Sequence, residues 1–199
     1  NFLTYDMSQR EWDDELERPV QQIADNGNTQ SVNTFAQWQF RASEKLTIST
    51  GLHGNFFLLN QRYAIENRTS VKYAFTDRNS LSFGFGQHAQ SQPLGVYFVD
   101  IDGVKPNSDL DLTRVLHYVL SYDQNLPGNL HVKLETYYQD LYDVPVTTTP
   151  SSFSMLNNEW GYVFEKLENT GKGRNYGVEL TFEKFLTRGL YFMLSSSLY

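Results

Sequence analysis

The chain has 199 residues, a net charge of −7 and no cysteine, and aromatic side chains make up 15% of it. The charge argues against a nucleic-acid-binding protein, because no basic stripe is present to neutralise phosphates. The lack of cysteine excludes disulfides and thiolate metal sites, and no apolar run reaches the roughly 18 residues of a transmembrane helix. High aromatic content without a compositional shift instead predicts one strand-rich domain over residues 1–199.

The first regular pattern begins after a polar and acidic N-terminal stretch. Residues 1–30 show little periodicity and are predicted to be mostly loop. From Val32 to Arg41 apolar and polar residues alternate, and after a short polar turn the alternation resumes from Leu46 to His53, which predicts a hairpin. A second hairpin of the same kind is predicted over residues 68–86.

The clearest hairpin lies between Thr113 and Gln139, where a run containing Pro127 and Gly128 separates two arms. Each arm has about ten residues, the length of a tilted strand that crosses a bilayer. In the second arm apolar and polar residues alternate: Leu130, His131, Val132, Lys133, Leu134 and Glu135. This pattern is typical of an outer-membrane β-barrel, with the polar residues facing the lumen and the apolar residues facing lipid.

A fourth hairpin is predicted over residues 175–198, with Glu179 on its polar side. The fold class is therefore all-β: an antiparallel up-and-down sheet of about eight strands, forming a partial transmembrane β-barrel. Two long connections, over residues 87–111 and 140–174, contrast with the short turns inside the hairpins. Because outer-membrane barrels have short periplasmic turns and longer outer loops, both connections are assigned to the extracellular side.

Several segments together resemble the barrel domain of TonB-dependent outer-membrane receptors, especially the Bacteroidetes type. These segments are Asn67–Phe75, Ser80–Gly86, Gln90–Pro93, Lys133–Tyr138, Val144–Val146 and Gly173–Leu180. Their order and spacing carry the resemblance, which spans roughly residues 32–199. The family commonly has Pro-Arg where this chain has Asn67-Arg68, a mild departure.

The resemblance implies a location in the outer membrane and a role in importing a nutrient such as a glycan, siderophore or vitamin. In such receptors a plug domain and a Ton box accompany a barrel of about 22 strands. This chain contains neither segment, so it is expected to be a portion of one barrel domain. The implied partners are outer-membrane lipid, the plug domain, TonB and a small nutrient ligand; no cofactor and no enzymatic activity are expected.

Two other interpretations stay open at this stage. A complete small barrel of about eight strands, with an adhesion or binding role, fits the strand count. Against it, Tyr199 is preceded at alternate positions by Ser197 and Ser195, unlike the usual apolar end of such barrels. An outer-membrane hydrolase would require histidines and carboxylates to converge at the barrel rim, and the sequence has no Gly-x-Ser-x-Gly element.

The candidate site residues fall into two groups. On the polar side of the strands, His131, Lys133, Glu135 and Glu179 are predicted to face the lumen. The histidines lack ligand spacing such as His-x-x-x-His, so no metal site is predicted. In the long connections four aromatic residues are candidate ligand contacts, although packing of the loops against one another is the alternative: Tyr97, Phe98, Tyr142 and Trp160.

Overall fold

The computed structural model describes residues 1–14, 17–158 and 163–199. The described residues form nine strands, one short helix (α1, Leu94–Tyr97) and a 3-10 turn at Met155–Asn157. In chain order the strands are β1 Phe2–Asp13, β2 Arg18–Arg41, β3 Leu46–Phe57, β4 Arg62–Ala74, β5 Asn79–Gln90, β6 Thr113–Leu126, β7 Leu130–Thr147, β8 Leu167–Thr187 and β9 Leu190–Leu198. No helix in this part of the chain is long and apolar enough to span a membrane.

All nine strands belong to one antiparallel sheet in which spatial order equals chain order. Each strand therefore pairs with its neighbours in sequence, which is the up-and-down topology that the sequence predicts. Among the described residues β1 pairs only with β2, and β9 only with β8. The sheet is open at both edges, whereas a complete small barrel would pair its first strand with its last.

The four predicted hairpins are confirmed as β2–β3, β4–β5, β6–β7 and β8–β9. The predicted limits of the long connections are wrong, because the strands continue further. Residues 87–90 belong to β5, residues 140–147 to β7 and residues 167–174 to β8. The register between β7 and β8 shifts between Leu141 and Val144, and the two strands keep pairing beyond that point. The alternation of apolar and polar residues breaks at such an irregularity, but the strand continues.

The prediction that residues 1–30 are mostly loop is also wrong. Phe2 to Asp13 form β1, which pairs with the first half of β2 from Arg18 to Gln30. Most side chains of β1 are exposed, whereas the first half of β2 contains three buried residues, Gln22, Ile23 and Thr29. Backbone hydrogen bonds hold the ladder, and polar side chains bond across it, as Arg10 Nε does to Gln21 Oε1 at 2.8 Å. The apolar alternation that marks a strand with one buried face is limited in β1 to Leu3, Tyr5 and Met7.

The rest of the sheet has two chemically distinct faces. We call one the apolar face; among its exposed large side chains are Trp38, Phe40, Leu52, Tyr73, Phe83, Leu120, Leu134, Tyr138, Tyr176 and Leu180. The opposite, polar face carries Gln37, Gln39, His53, Arg68, Ser70, His117, Ser121, Lys133, Glu135 and Glu179. A continuous exposed apolar surface of this extent is poorly suited to water and well suited to lipid.

At the end of the sheet away from the short turns, the connection over residues 91–112 folds onto the strands. We call the resulting group of buried side chains the loop cluster; its buried members are Ile23, Phe57, Ala64, Val96, Tyr97, Phe98, Leu110, Leu112 and Leu167. Tyr5 stacks on Phe98 with ring centroids 4.7 Å apart, and Phe57 contacts Tyr97 at 5.5 Å. The connection is thus a packed element of the fold.

Asparagine side chains replace regular backbone pairing within the connections. Asn107 is fully buried; its Nδ2 donates to Glu165 O at 2.9 Å and its Oδ1 accepts from Leu167 N at 2.8 Å. Asn169 accepts from Asp111 N at 2.8 Å and donates to Asp143 O at 2.7 Å. These bonds join the two long connections to each other and to β7 and β8, which satisfies backbone groups that have no strand partner.

Candidate functional site

The polar face contains a hollow of about 410 Å³ between β2 and β6. Residues without bulky side chains form part of its floor: Ser49, Gly51, Ser70, Gly84 and Gly86. They become neighbours through the sheet register, which places Gly51 opposite Arg68 and Arg68 opposite Gly86. Small residues at matching positions on adjacent strands lower the surface locally, and longer side chains around them form the walls.

A buried carboxylate organises one wall of the hollow. Glu66 is only 2% exposed, and its Oε2 lies 3.0 Å from His53 Nδ1 and accepts a hydrogen bond from Arg68 Nη2 at 2.8 Å. Its Oε1 accepts from Ala89 N at 3.1 Å. Because a buried carboxylate requires partners, this network fixes the orientation of the imidazole and guanidinium groups that border the hollow.

Two further imidazoles lie on the other side of the hollow. His88 on β5 and His117 on β6 have ring centroids 6.2 Å apart and an interplanar angle of 58°. The ring of His117 also contacts Tyr137 edge-on at 6.3 Å. Imidazole and guanidinium groups therefore border a cavity with a small-residue floor, beside apolar side chains that include Phe35 and Val119. This arrangement is suited to binding a ligand with both polar and apolar surface.

The predicted lumen-facing residues lie nearer the short turns than the hollow does. Lys133 Nζ lies 2.6 Å from Glu135 Oε2, which also accepts from Ser121 Oγ at 2.7 Å. On the next strand Glu179 is the register partner of Glu135 and accepts from Ser195 Oγ at 3.2 Å. These residues share the polar face: Ser121, Lys133 and Glu135 form one hydrogen-bonded group across β6 and β7, and Glu179 and Ser195 form another across β8 and β9.

The fourth predicted lumen-facing residue, His131, has a local role in the structure. Its Nε2 lies 3.1 Å from Asp123 Oδ1, and its ring stacks on Phe185 with centroids 6.1 Å apart. The register places it beside the β6–β7 turn, on the same side of the sheet as Lys133. It therefore lies away from the hollow that His88 and His117 border.

The predicted loop contacts have different environments. Tyr97 and Phe98 are 1% and 5% exposed within the loop cluster, so these rings pack the fold, which is the alternative that the sequence left open. The Tyr97 hydroxyl accepts from Gln92 N at 3.0 Å, and burial raises the pKa of Tyr97 to about 12. Tyr142 lies half-buried in β7. Trp160 lies outside the described residues.

Sequence reasoning missed most of the hollow. Glu66 and Arg68 lie in one strand, but no feature of the sequence shows that His53 and His88 lie beside them. Only the register of β3, β4, β5 and β6 brings these residues together. Within residues 1–14, 17–158 and 163–199 no group of three or more histidine or acidic side chains could hold a metal ion.

An open antiparallel sheet with one apolar and one polar face has the pattern of a wall of a membrane β-barrel. A family model described as "TonB dependent receptor-like, beta-barrel" matches residues 3–199. The chain belongs to this family of barrel domains. A search of curated proteins finds no match.

Solved structures share the fold. The ferric enterobactin receptor PfeA of Pseudomonas aeruginosa aligns with a TM-score of 0.58 at 16% identity, over 85% of this chain and 26% of its own. The siderophore receptor PirA of the same species aligns with a TM-score of 0.61 at 13% identity, over 87% of this chain and 36% of its own. The outer membrane transporter YddB of Escherichia coli aligns with a TM-score of 0.56 at 12% identity, over 92% of this chain and 27% of its own. This chain thus spans between 26% and 36% of the length of these structures.

Proposed function

We propose that the intact protein is an outer-membrane, TonB-dependent receptor that imports a scarce nutrient, and that this chain is part of its barrel wall. The family match over residues 3–199 carries the proposal. The exposed apolar face supports it physically, because lipid contact removes the cost of hydrating that surface. No catalytic role is proposed, and the nutrient is a siderophore, a glycan or a vitamin.

The polar face supplies the inner lining in this proposal. Lys133, Glu135 and Glu179 border the passage near the short turns, which lie on the periplasmic side, and the hollow lies closer to the outer loops. The remaining strands, the plug domain and TonB are the proposed partners of this wall. One aligned structure is named as a siderophore receptor and another as a ferric enterobactin receptor, so ferric siderophores come first among the nutrients to test.

The loop end of the sheet is the proposed entry side for the nutrient. Tyr142, which is half-buried in β7, stays a candidate contact there, and Trp160 stays a prediction from the sequence. The Bacteroidetes type also stays a prediction, since the aligned structures come from Pseudomonas aeruginosa and Escherichia coli and support the family alone.

The test is nutrient import by cells that carry or lack the intact gene. We expect deletion to abolish energy-dependent uptake of one labelled compound from a panel of ferric siderophores, oligosaccharides and cobalamin, and plasmid-borne wild-type protein to restore it. Deletion of TonB should remove the same uptake while ligand binding to whole cells persists. Uptake that is unaffected by either deletion for every compound would refute the proposal.

A further inference from the structure

One aromatic side chain of β2 is exposed on the polar face, where lipid contact does not explain it. Phe35 is 81% exposed. It is the register partner of His53 and lies on the same side of the sheet as Gln37. The other aromatic side chains of this part of β2, Trp38 and Phe40, lie on the apolar face. Because Phe35 also lines the hollow, its ring is an apolar contact surface for whatever binds there.

The lining of the hollow carries positive and neutral groups. Among the described residues that line it are one guanidinium, that of Arg68, and three imidazoles, those of His53, His88 and His117, but no carboxylate. Glu66 is buried and is not part of this lining. At His88 the positive charge of Arg68 outweighs the negative charge of Glu66. A ligand in the hollow therefore meets a potential that favours an anionic group.

The guanidinium of Arg68 is held on one side and accessible on the other. Its Nη2 donates to Glu66 Oε2 at 2.8 Å, and this is its one side-chain hydrogen bond among the described residues. The Arg68 side chain is 50% exposed. Its register partners are Gly51 and Gly86, so the neighbouring strands leave space beside it. A guanidinium has further N–H donors in a fixed plane, and these fit the two oxygens of a carboxylate or a phosphate.

We propose that the hollow binds a small molecule that carries a carboxylate or a similar anionic oxygen group beside a flat apolar group. The anionic group accepts hydrogen bonds from Arg68, and the apolar group lies against Phe35 and Val119. Glu66 is a positioning residue that orients the guanidinium. The inference rests on the proposed function, because the ligand is then the imported nutrient or a part of it. Among candidate nutrients it selects acidic compounds with a flat apolar group over neutral oligosaccharides.

The experiment uses the intact receptor in one detergent and two probes of nearly equal shape, naphthoate and naphthamide. The first is an anion at neutral pH and the second is neutral. Binding of each is followed by ligand-observed nuclear magnetic resonance titration. The variants are Arg68→Gln, Arg68→Lys and Phe35→Ala. The matched control is Lys72→Gln, because Lys72 is an exposed cation on the same strand and face that does not line the hollow.

We expect the wild type to bind naphthoate more tightly than naphthamide. Arg68→Gln should weaken naphthoate binding by at least about tenfold and leave naphthamide within twofold of wild type, which also shows that the variant is folded. Arg68→Lys should recover part of the loss, because a lysine keeps the charge but not the planar fork. Phe35→Ala should weaken both probes by at least about threefold, and Lys72→Gln should change neither by more than twofold.

Equal binding of the two probes by the wild type would overturn the proposal. The same holds if Arg68→Gln weakens both probes alike, or if it changes naphthoate binding no more than Lys72→Gln does. Nutrient import by cells is a separate readout. If import depends on TonB but naphthoate binding does not depend on Arg68, the anion site fails and the proposed function stands; if the variants behave as expected and import is absent, the proposed function fails and the site stands.

Discussion

Replacing Asn107 with alanine tests whether the long connections form one rigid unit with the strands. The side chain is fully buried and makes two hydrogen bonds, one to Glu165 O and one from Leu167 N. Alanine leaves Leu167 N buried without a partner, at about 1–3 kcal/mol, and also removes the partly buried bond to Glu165 O. A loss of 2 kcal/mol raises the fraction of open molecules roughly 30-fold.

Hydrogen exchange of the intact protein, followed by mass spectrometry, measures this opening. In the Asn107→Ala variant we expect peptides covering residues 163–170 to exchange at least about tenfold faster, and those of the loop cluster near Leu112 to follow. The matched control is Asn175→Ala, because Asn175 is exposed and makes a single side-chain bond of 3.3 Å to Gln139. If exchange in Asn107→Ala stays within threefold of wild type, the two bonds do not join the connections and the reasoning fails.

Three further predictions concern the wall and the loop cluster. Gly171→Ala should lower the free energy of unfolding in detergent by about 1–3 kcal/mol, because the added Cβ would lie 2.7 Å from the carbonyl oxygen of Val144. Gly84→Ala is the control and should leave this free energy unchanged, because its Cβ would lie 3.9 Å from the nearest atom. Leu120→Arg on the apolar face should destabilise the protein in bilayers by about 2–4 kcal/mol, and Val119→Arg on the polar face should cost less; equal costs would contradict the assignment of the faces. Because burial raises the pKa of Tyr97 to about 12, this phenol adds stability that is complete below pH 10 and is lost as the pH rises through 12. An ultraviolet difference titration of wild type against Tyr97→Phe should therefore show no tyrosinate from Tyr97 below about pH 11.

The sequence predicted those strands whose two faces have different environments. Between Leu130 and Glu135, for example, each residue's chemistry follows the side of the sheet on which it lies, so a period of two is visible locally. The same rule does not apply to β1 and the first half of β2, where polar residues occur on both sides. One side of this hairpin packs on the loop cluster through Tyr5, Met7 and Ile23, a contact that depends on the distant connection over residues 91–112.

The hollow could not be predicted because its residues meet through register. A shift of one residue between β5 and β6 would move His117 to the other face and separate it from His88. Local spacing rules such as His-x-x-x-His describe residues on one helix, and they do not detect side chains that meet across neighbouring strands. The turns and the apolar face together set the sheet register. The residues that meet in the hollow are therefore determined by all the strands that pair around it and not by any single segment.

The burial of Tyr97 and Phe98 changes where a ligand is expected to bind. Aromatic residues in a long connection are good candidates for ligand contact when the connection is exposed. Here the apolar residues around them, including Val96 and Val99, need a packing surface, and Ile23 and Phe57 on the strands provide it. Since the rings of Tyr97 and Phe98 are used to fix the connection, the polar groups that border the hollow become candidate ligand contacts in their place. Substitutions at His53 or Arg68 should therefore weaken nutrient binding to the intact receptor more than Phe98→Leu does, and the reverse order, measured by ligand titration on whole cells, would place the contact in the loops instead.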